Sequence, residues 1–261
     1  MAANKEGKFA RDARTAREIM NKEELTHGDR VALVRILQAN YHDSGKIEGL
    51  VSLDSSAHAC TFCNRMRDNV GKHNPRCICN KCYDWKQEDY RGNVKDRHGL
   101  QLEILSSVLF EIEELSFLPI TTTAARFDSS GDIQNVIQAH NYLRTCKAFP
   151  GTFFGLWTKN VHAMNEAIRI EGKPANVRII WSIPFIDGMP DAFREKVLHD
   201  FQWIDNTFTV YSDASSVAAA IENGAEDCNG KKCRECGYRC YRSEEFGGWR
   251  NGANIAELLR K

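Results

Sequence analysis

The chain has 261 residues, of which 42% are hydrophobic and 27% are charged, a globular composition that excludes fibrous repeats and extensive disorder. Its 35 basic and 35 acidic side chains leave no net charge, which argues against binding nucleic acid or an acidic membrane through the whole surface. It has neither a run of about 18 apolar residues nor a secretion signal, so we expect a cytoplasmic protein without membrane contact.

Residues 1–45 are predicted to form an N-terminal helical segment. Ala, Arg and Glu fill 9–25, and apolar residues recur at helical spacing over 29–41. A short alternating strand over 46–53 follows and leads directly into a cysteine loop at 60–82. The order of strand and then cysteine loop is the first landmark of the chain.

The segment 46–223 alternates between strand and helix patterns. Successive strands lie about thirty residues apart, which is the size of a βαβ unit. We therefore predict an α/β fold, either a partial (β/α) barrel or a curled parallel sheet, with N-terminal helices and two cysteine-rich metal-binding segments. The predicted strands are 46–53, 117–127, 152–158, 177–183 and 207–211, and the predicted helices are 85–114, 132–145, 160–170, 191–201 and 214–223.

Polar residues end or follow four of these strands. Ligands of parallel sheets bind at the carboxyl ends of the strands, so these residues are candidates for cofactor binding. Capping of the next helix is the more common role of any one of them, because Ser, Thr, Asp and Asn satisfy the free N–H groups of a helix. Only their convergence at one edge of the sheet favours ligand binding. The candidate cofactor-binding residues are Ser129, Ser130, Gly131, Asp132, Lys159, Ser182 and Asp213.

The first cysteine group contains Cys60, Cys63, Cys77, Cys79 and Cys82. Clustered thiols in a reducing compartment indicate metal binding. Four of them form a CxxC, fifteen-residue, CxxC pattern, a spacing typical of zinc sites. The fifth thiol exceeds the four positions of one zinc ion and suits an iron–sulfur cluster better. The pattern leaves open which of the five are ligands.

The second cysteine group lies in the C-terminal segment 224–261. It consists of Cys228, Cys233, Cys236 and Cys240, and its first three cysteines have the C-x4-C-x2-C spacing of plant-type ferredoxins. In those proteins the fourth cysteine is distant in sequence, whereas here it follows after three residues. Such a group can hold either zinc or a cubane cluster. A short helix is predicted near 253–259. The tenth cysteine, Cys146, stands alone on a predicted helix and is expected to lie in the core.

Basic side chains flank both cysteine groups. Nine basic and five acidic residues lie within 60–97, for example. These cations offset the negative charge of a thiolate-bound metal, or they bind the phosphates of a nucleic acid. The charge pattern supports metal binding without indicating which metal is bound, and nucleic-acid binding remains the competing explanation.

The order of several motifs resembles the phage gene-product-88-like proteins over about residues 40–245. The resemblance rests on the strand and Ser-rich turn before the first cysteines, on Cys79-Asn-Lys-Cys82-Tyr83, and on R-F-D-S-S-G-D from Arg126. It also rests on L-W-T-K ending at Lys159 and on the terminal C-x2-C-x3-C. The resemblance implies a phage or bacterial origin and supplies little chemistry.

The layout also looks like that of radical S-adenosylmethionine enzymes, although their C-x3-C-x2-C motif is absent. The resemblance implies a [4Fe–4S] cluster on three of the five first-group thiols and a second cluster on the C-terminal group. It further implies that Ser130 and Asp132 hold the amino group of S-adenosylmethionine. Lys159, Ser182 and Asp213 would line its carboxylate or ribose.

Two other functions remain open from the residues alone. One is a zinc-binding module that contacts nucleic acid or protein, with both cysteine groups as structural knuckles. The other is an electron-transfer or redox protein with two clusters and no substrate. The leading hypothesis is an iron–sulfur enzyme of the radical S-adenosylmethionine kind, whose small-molecule or macromolecular substrate the sequence does not define.

Overall fold

A computed structural model describes residues 7–228 and 231–259. These residues form ten α-helices and eight β-strands in one mixed α/β arrangement. The helices are α1 (Lys8–Met20), α2 (His27–Ile36), α3 (Thr61–Arg65), α4 (Tyr83–Tyr90), α5 (Gly92–Ser107), α6 (Ile112–Leu115), α7 (Val136–Ala148), α8 (Val161–Glu171), α9 (Asp191–Asp200) and α10 (Ala214–Glu222). The strands are β1 (Asn40–Tyr41), β2 (Val51–Leu53), β3 (Ala124–Phe127), β4 (Phe153–Thr158), β5 (Val177–Ser182), β6 (Asn206–Tyr211), β7 (Glu226–Asp227) and β8 (Asn254–Leu258).

All eight strands belong to one sheet in the order β1-β2-β3-β4-β5-β6-β8-β7. β1 runs antiparallel to β2, and every other neighbouring pair is parallel. The end strands β1 and β7 do not pair with each other, so the sheet is open. The prediction of an α/β fold with a parallel sheet is therefore confirmed.

The predicted helix near 253–259 is wrong, because this segment is strand β8. It lies between β6 and β7, and both Ile255 and Ala256 have no exposed surface. Consecutive residues of a strand point to opposite faces of the sheet. A strand that is buried on both faces therefore has adjacent apolar residues and no alternation of apolar and polar residues. Such a short apolar run resembles one turn of a buried helix.

Other boundaries also differ from the sequence pattern. The predicted strand 46–53 begins at Val51, after a turn in which Gly45 and Gly49 have positive φ. The predicted helix 85–114 is interrupted at Arg91 and after Ser107, and gives three helices. Only the last four residues of the predicted strand 117–127 pair in the sheet.

Helices cover one face of the sheet, which we call the helical face. Phe127, Phe154 and Ile179 point from the strands into a core that they share with α1, α2, α5, α7 and α8. Phe127 stacks on Phe154 with a centroid distance of 5.0 Å. The single cysteine of α7, Cys146, is fully buried in this core, as predicted.

The C-terminal cysteine-rich segment covers the opposite face, which we call the inner face. Ala124, Ile180 and Ile255 point to this face and pack with Tyr241 and Trp249. None of the helices among the described residues is long and apolar enough to cross a membrane.

Candidate metal and ligand site

The cysteine loop begins beside the carboxyl end of β2. Cys60 caps α3, where its Sγ accepts a hydrogen bond from the backbone N–H of Cys63 at 3.4 Å. The Cys60 thiol also donates to the carbonyl of Asp132 at 3.5 Å. Because Asp132 follows β3, this contact ties the first two cysteines to the carboxyl end of a neighbouring strand.

The second half of the loop is held at the end of β5. Cys77 forms an antiparallel bridge with Phe185, and the backbone N–H of Ile78 donates to Pro184 O at 2.9 Å. The Arg76 guanidinium donates two bonds to Ile186 O, at 3.0 and 2.8 Å. The structure therefore places both halves of the first cysteine group along the carboxyl edge of the parallel sheet.

Lys159, directly after β4, lies among the cysteines of this group. Its Nζ is 3.6 Å from Asp132 Oδ2. Burial lowers the pKa of Lys159, but the negative charges of Asp132 and of three thiols outweigh burial and raise the pKa, so the ammonium stays charged. The thiols concerned are Cys79, Cys63 and Cys82.

The thiols form two hydrogen-bonded pairs. The bond from the Cys63 thiol lowers the pKa of Cys60, and the bond from the Cys79 thiol lowers the pKa of Cys77 to about 6. The donor of each pair has a raised pKa for the same reason. Each pair thus contains one thiol with a lowered pKa, and thiolates are the form that binds metals.

A metal fits the chemistry of these donors, although their side chains do not surround a common point. Within 7–228 and 231–259, no three His, Cys, Asp or Glu side chains are arranged as ligands of one ion. The half-buried Lys159 ammonium nevertheless lies close to Cys63, Cys79 and Cys82. Its charge also lowers the pKa of Cys77. Such a cation offsets the net negative charge of a thiolate-bound cluster.

Asp132 joins the ends of two strands with its side chain. Its Oδ1 accepts hydrogen bonds from Thr158 Oγ1 at 2.6 Å and from the N–H of Ile133 at 2.8 Å. Its Oδ2 accepts from the N–H of Lys159 at 3.0 Å. Donors of the chain itself therefore engage both carboxylate oxygens, in addition to the Lys159 ammonium.

The turn before Asp132 is bound to the segment that follows β2. Ser129 donates to Asp54 Oδ1 at 2.5 Å, and Ser130 donates to Glu88 Oε1 at 3.4 Å. Gly131 has a φ of +88°, and a Cβ there would lie 2.3 Å from Ser55 Oγ. Only glycine fits both the backbone conformation and the space.

Two of the predicted cofactor-binding residues lie apart from this cluster. Asp213 is exposed and caps α10, where it accepts bonds from the Ser216 N–H at 2.8 Å and the Ser215 hydroxyl at 2.5 Å. The hydroxyl bond of Ser215 is the main reason why the pKa of Asp213 is lowered. Ser182 ends β5 half-buried. The structure brings Ser129, Ser130, Gly131, Asp132 and Lys159 together with the first cysteine group.

Two charged residues of the site escaped the sequence reasoning. Burial raises the pKa of the Asp84 carboxyl to about 6, and this carboxyl makes no hydrogen bond and no ion pair within 4 Å with a described residue. Arg126 lies in β3, and its guanidinium carbon is 4.3 Å from the ring centroid of Trp157. A charged residue inside the apolar strand Ala124–Phe127 is the signal that could have identified Arg126.

The second cysteine group is fastened to the inner face of the sheet. The N–H of Cys228 donates to Ala256 O at 3.1 Å, and the N–H of Cys233 donates to Lys46 O at 2.8 Å. Trp249 Nε1 donates to Cys240 Sγ at 3.2 Å. Burial raises the pKa of Cys240, and so do the charges of the other three thiols, which therefore lie nearby.

These four thiols fit a thiolate-bound metal by the chemistry of their donors. The Trp249 N–H aims at a sulfur, and Lys46 hydrogen-bonds the Cys228 thiol, which lowers a pKa that burial raises. Outer donors of this kind orient the ligands of metal sites. Part of the chain between Cys228 and Cys233, residues 229–230, lies outside the described residues.

Comparisons of the chain with protein-family models, with curated proteins and with solved structures find no match.

Proposed function

We propose that this chain is an iron–sulfur enzyme of the radical S-adenosylmethionine kind, with its catalytic centre at the first cysteine group. One observation carries the proposal: the first cysteine group and the half-buried Lys159 ammonium lie together at the carboxyl edge of an open parallel sheet. Ligands of parallel sheets bind at this edge. The resemblance of the layout to radical S-adenosylmethionine enzymes agrees with this placement.

Three of the five thiols would hold a [4Fe–4S] cluster and leave one iron for the cosubstrate. Bound there, the cluster would supply the electron that cleaves S-adenosylmethionine reductively. Lys159 offsets the negative charge at this position, and Asp132 positions Lys159. The hydrogen-bonded turn Ser129–Asp132 keeps the strand ends and the cysteine loop in register.

The structure favours a positioning role for Asp132 over direct binding of the cosubstrate amino group. Its two carboxylate oxygens already accept three hydrogen bonds and face the Lys159 ammonium. An Asp132→Ala variant should therefore loosen the cysteine loop and lose iron as well as cosubstrate. Unchanged iron content with weakened cosubstrate binding would instead assign the amino group to Asp132.

The second cysteine group would hold a structural metal, either zinc or a second cluster. Three of its thiols, those of Cys228, Cys233 and Cys240, lie in a hydrophobic cluster with Tyr241 and Trp249. A metal bound there would hold the C-terminal cysteine-rich segment against the inner face of the sheet.

The test is the iron, sulfide and zinc content of the anaerobically purified chain, together with its visible absorption. We expect a brown protein with about four irons and four sulfides at the first group. A Cys79→Ala variant should lose these, whereas Cys146→Ala in the core should keep them. A brown protein that neither binds nor cleaves S-adenosylmethionine would point to electron transfer instead.

A zinc-binding nucleic-acid module is the second candidate, and exposed aromatic residues favour it. Tyr83 and Tyr90 on α4 are 49% and 89% exposed, with Lys86 and Arg91 close by in the chain. Exposed tyrosines beside cations can stack on the bases of single strands. A colourless protein with two zinc ions, no sulfide and salt-sensitive binding of RNA or DNA would establish this function.

A further inference from the structure

Arg126 is a half-buried cation for which the described residues provide no hydrogen-bond acceptor. Its Nε is buried and has no hydrogen-bond acceptor. Arg126 forms no hydrogen bond and no ion pair within 4 Å with the residues that the structure describes, and its terminal nitrogens are not among the buried unpaired atoms. These two nitrogens therefore keep accessible surface.

The surroundings of Arg126 contain further polar groups without partners. The Tyr241 hydroxyl is buried and makes no hydrogen bond. The Asp84 carboxylate is also unpaired among the described residues. Burial lowers the pKa of Arg126, whereas the charges of Tyr241, Cys233 and Asp84 raise it, so these groups lie around the guanidinium.

A flat aromatic surface supports the guanidinium. Arg126 stacks on Trp157, which follows Gly155 on the inner face of β4. Trp157 in turn packs edge-on against Tyr241, with 5.6 Å between the ring centroids. Stacking fixes the plane of the guanidinium and leaves its edge free for two parallel hydrogen bonds.

We infer that Arg126, held on Trp157, binds an oxyanion of the substrate on the inner face, either a carboxylate or a phosphate group. Among the described residues, the Arg126 guanidinium finds no hydrogen-bond acceptor, and a ligand oxyanion would supply the acceptors. The guanidinium fork matches the two oxygens of such a group. The site lies between Cys233 of the second group and Asp84, which follows Cys82 of the first.

This inference names a substrate class and therefore rests on the proposed enzyme. The test is calorimetric titration of the anaerobically purified full chain with inorganic phosphate and, separately, with glutarate, each with and without saturating S-adenosylmethionine. We expect one of the two probes to bind in both conditions. The binding probe shows whether the substrate group is a phosphate or a carboxylate.

An Arg126→Gln variant should weaken that binding at least tenfold, because it removes a charge-assisted pair of hydrogen bonds. Trp157→Leu keeps the charge and removes the stacking surface, and it should weaken binding about threefold. Arg239→Gln is the matched control, since Arg239 is exposed and lies 4.7 Å from the ring centroid of Trp249. The control should bind like the parent chain.

Three results would overturn the inference. The first is that neither probe binds, and the second is that the Arg126→Gln and parent chains bind the probe equally. The third is that S-adenosylmethionine displaces the probe, which would show that Arg126 binds the cosubstrate and not the substrate. Circular dichroism establishes whether the variants fold. If Arg126→Gln does not fold, Trp157→Leu is the variant that tests the site. Binding that depends on Arg126 in a chain without iron would overturn the proposed enzyme and leave the oxyanion site standing.

Discussion

The two cysteine groups are built from the same residue type and differ in what surrounds them. The first group lies among buried charges, with Asp132 and Lys159 in direct contact and Glu88 beneath the loop. The second lies against Tyr241 and Trp249 in an apolar cluster. The environment of the thiols, and not their number, therefore distinguishes the two groups: charged and polar at the first, aromatic and apolar at the second.

The groups also differ in how the chain holds them. Segments distant in sequence secure the first group, including the turn Ser129–Asp132 and the loop after β5. Much of the second group is local, because Cys233, Cys236 and Cys240 fall within one run of turns. We therefore expect the first loop to keep its fold without metal more readily than the second.

The largest expected effect comes from removing one ligand of each group. Cys240→Ser should abolish metal binding at the second group and lower the melting temperature by about 10 °C or more, because a structural thiolate-bound metal contributes several kcal/mol. Cys82→Ser should lose iron from the first group and lower the melting temperature by only a few degrees. Metal analysis and thermal unfolding measure both, and equal melting temperatures of the two variants would contradict the comparison.

A substitution at Gly131 should damage the first group alone. In Gly131→Ala, the new Cβ would lie 2.3 Å from Ser55 Oγ and 2.5 Å from Ser55 O, at a φ of +88°. Strain and overlap together should cost about 2–4 kcal/mol and reduce the iron bound at the first group. Urea unfolding and iron analysis test this. Gly151→Ala, where nothing lies within 4 Å, is the control and should change neither.

The reciprocal substitution is at Gly155 on the inner face. A Cβ there would lie 2.7 Å from Tyr241 Cδ1 and 2.8 Å from Trp157 Cζ3. Gly155→Ala should therefore push Tyr241 off the sheet, cost about 1–3 kcal/mol and loosen the metal of the second group. Iron at the first group should stay as in the parent chain. Loss of metal from both groups would show that the two sites are one cooperative unit.

The sequence predicts the alternation of strands and helices well where elements are long. The predicted strands 152–158, 177–183 and 207–211 lie within one residue of β4, β5 and β6 at each end. Their apolar runs are bounded by clear helix caps, such as Asn160 and Asp213. Strands of two residues carry no periodic signal, so β1 and β7 are invisible before the chain folds.

The candidate site is only partly readable from the chain for a related reason. Cysteine spacing and the polar residues after strands identify Asp132 and Lys159, because both signals are local. The same rule includes Asp213, which the structure shows as a helix cap. The side chains of Arg126 and Asp84 become candidates only because they find no hydrogen-bond partner among the described residues. The sequence cannot show this, because hydrogen-bond partners are determined by the folded structure.

The smallest expected effect lies on the helical face and provides a reference for both groups. Glu171 at the end of α8 accepts hydrogen bonds from Arg144 Nε at 2.6 Å, Lys147 Nζ at 2.8 Å and His140 Nδ1 at 3.1 Å. Burial raises the pKa of Glu171, but these donors outweigh burial and lower the pKa to about 2. These contacts join Glu171 to α7, and among the described residues Glu171 contacts no cysteine of either group.

A carboxyl with a depressed pKa in the folded chain stabilises the fold above its unfolded pKa, and this contribution disappears as the pH falls toward 2. Glu171→Gln should therefore reduce the free energy of unfolding at pH 6 by up to about 1 kcal/mol, since partial exposure screens the ion pairs. At pH 3 the difference from the parent chain should shrink. Urea unfolding at both pH values measures it, with Glu195→Gln on exposed α9 as the control. Because Glu171 lies on the helical face, the metal content of Glu171→Gln at pH 6 should equal that of the parent chain. A changed metal content would show that the helical face and the cysteine groups are coupled.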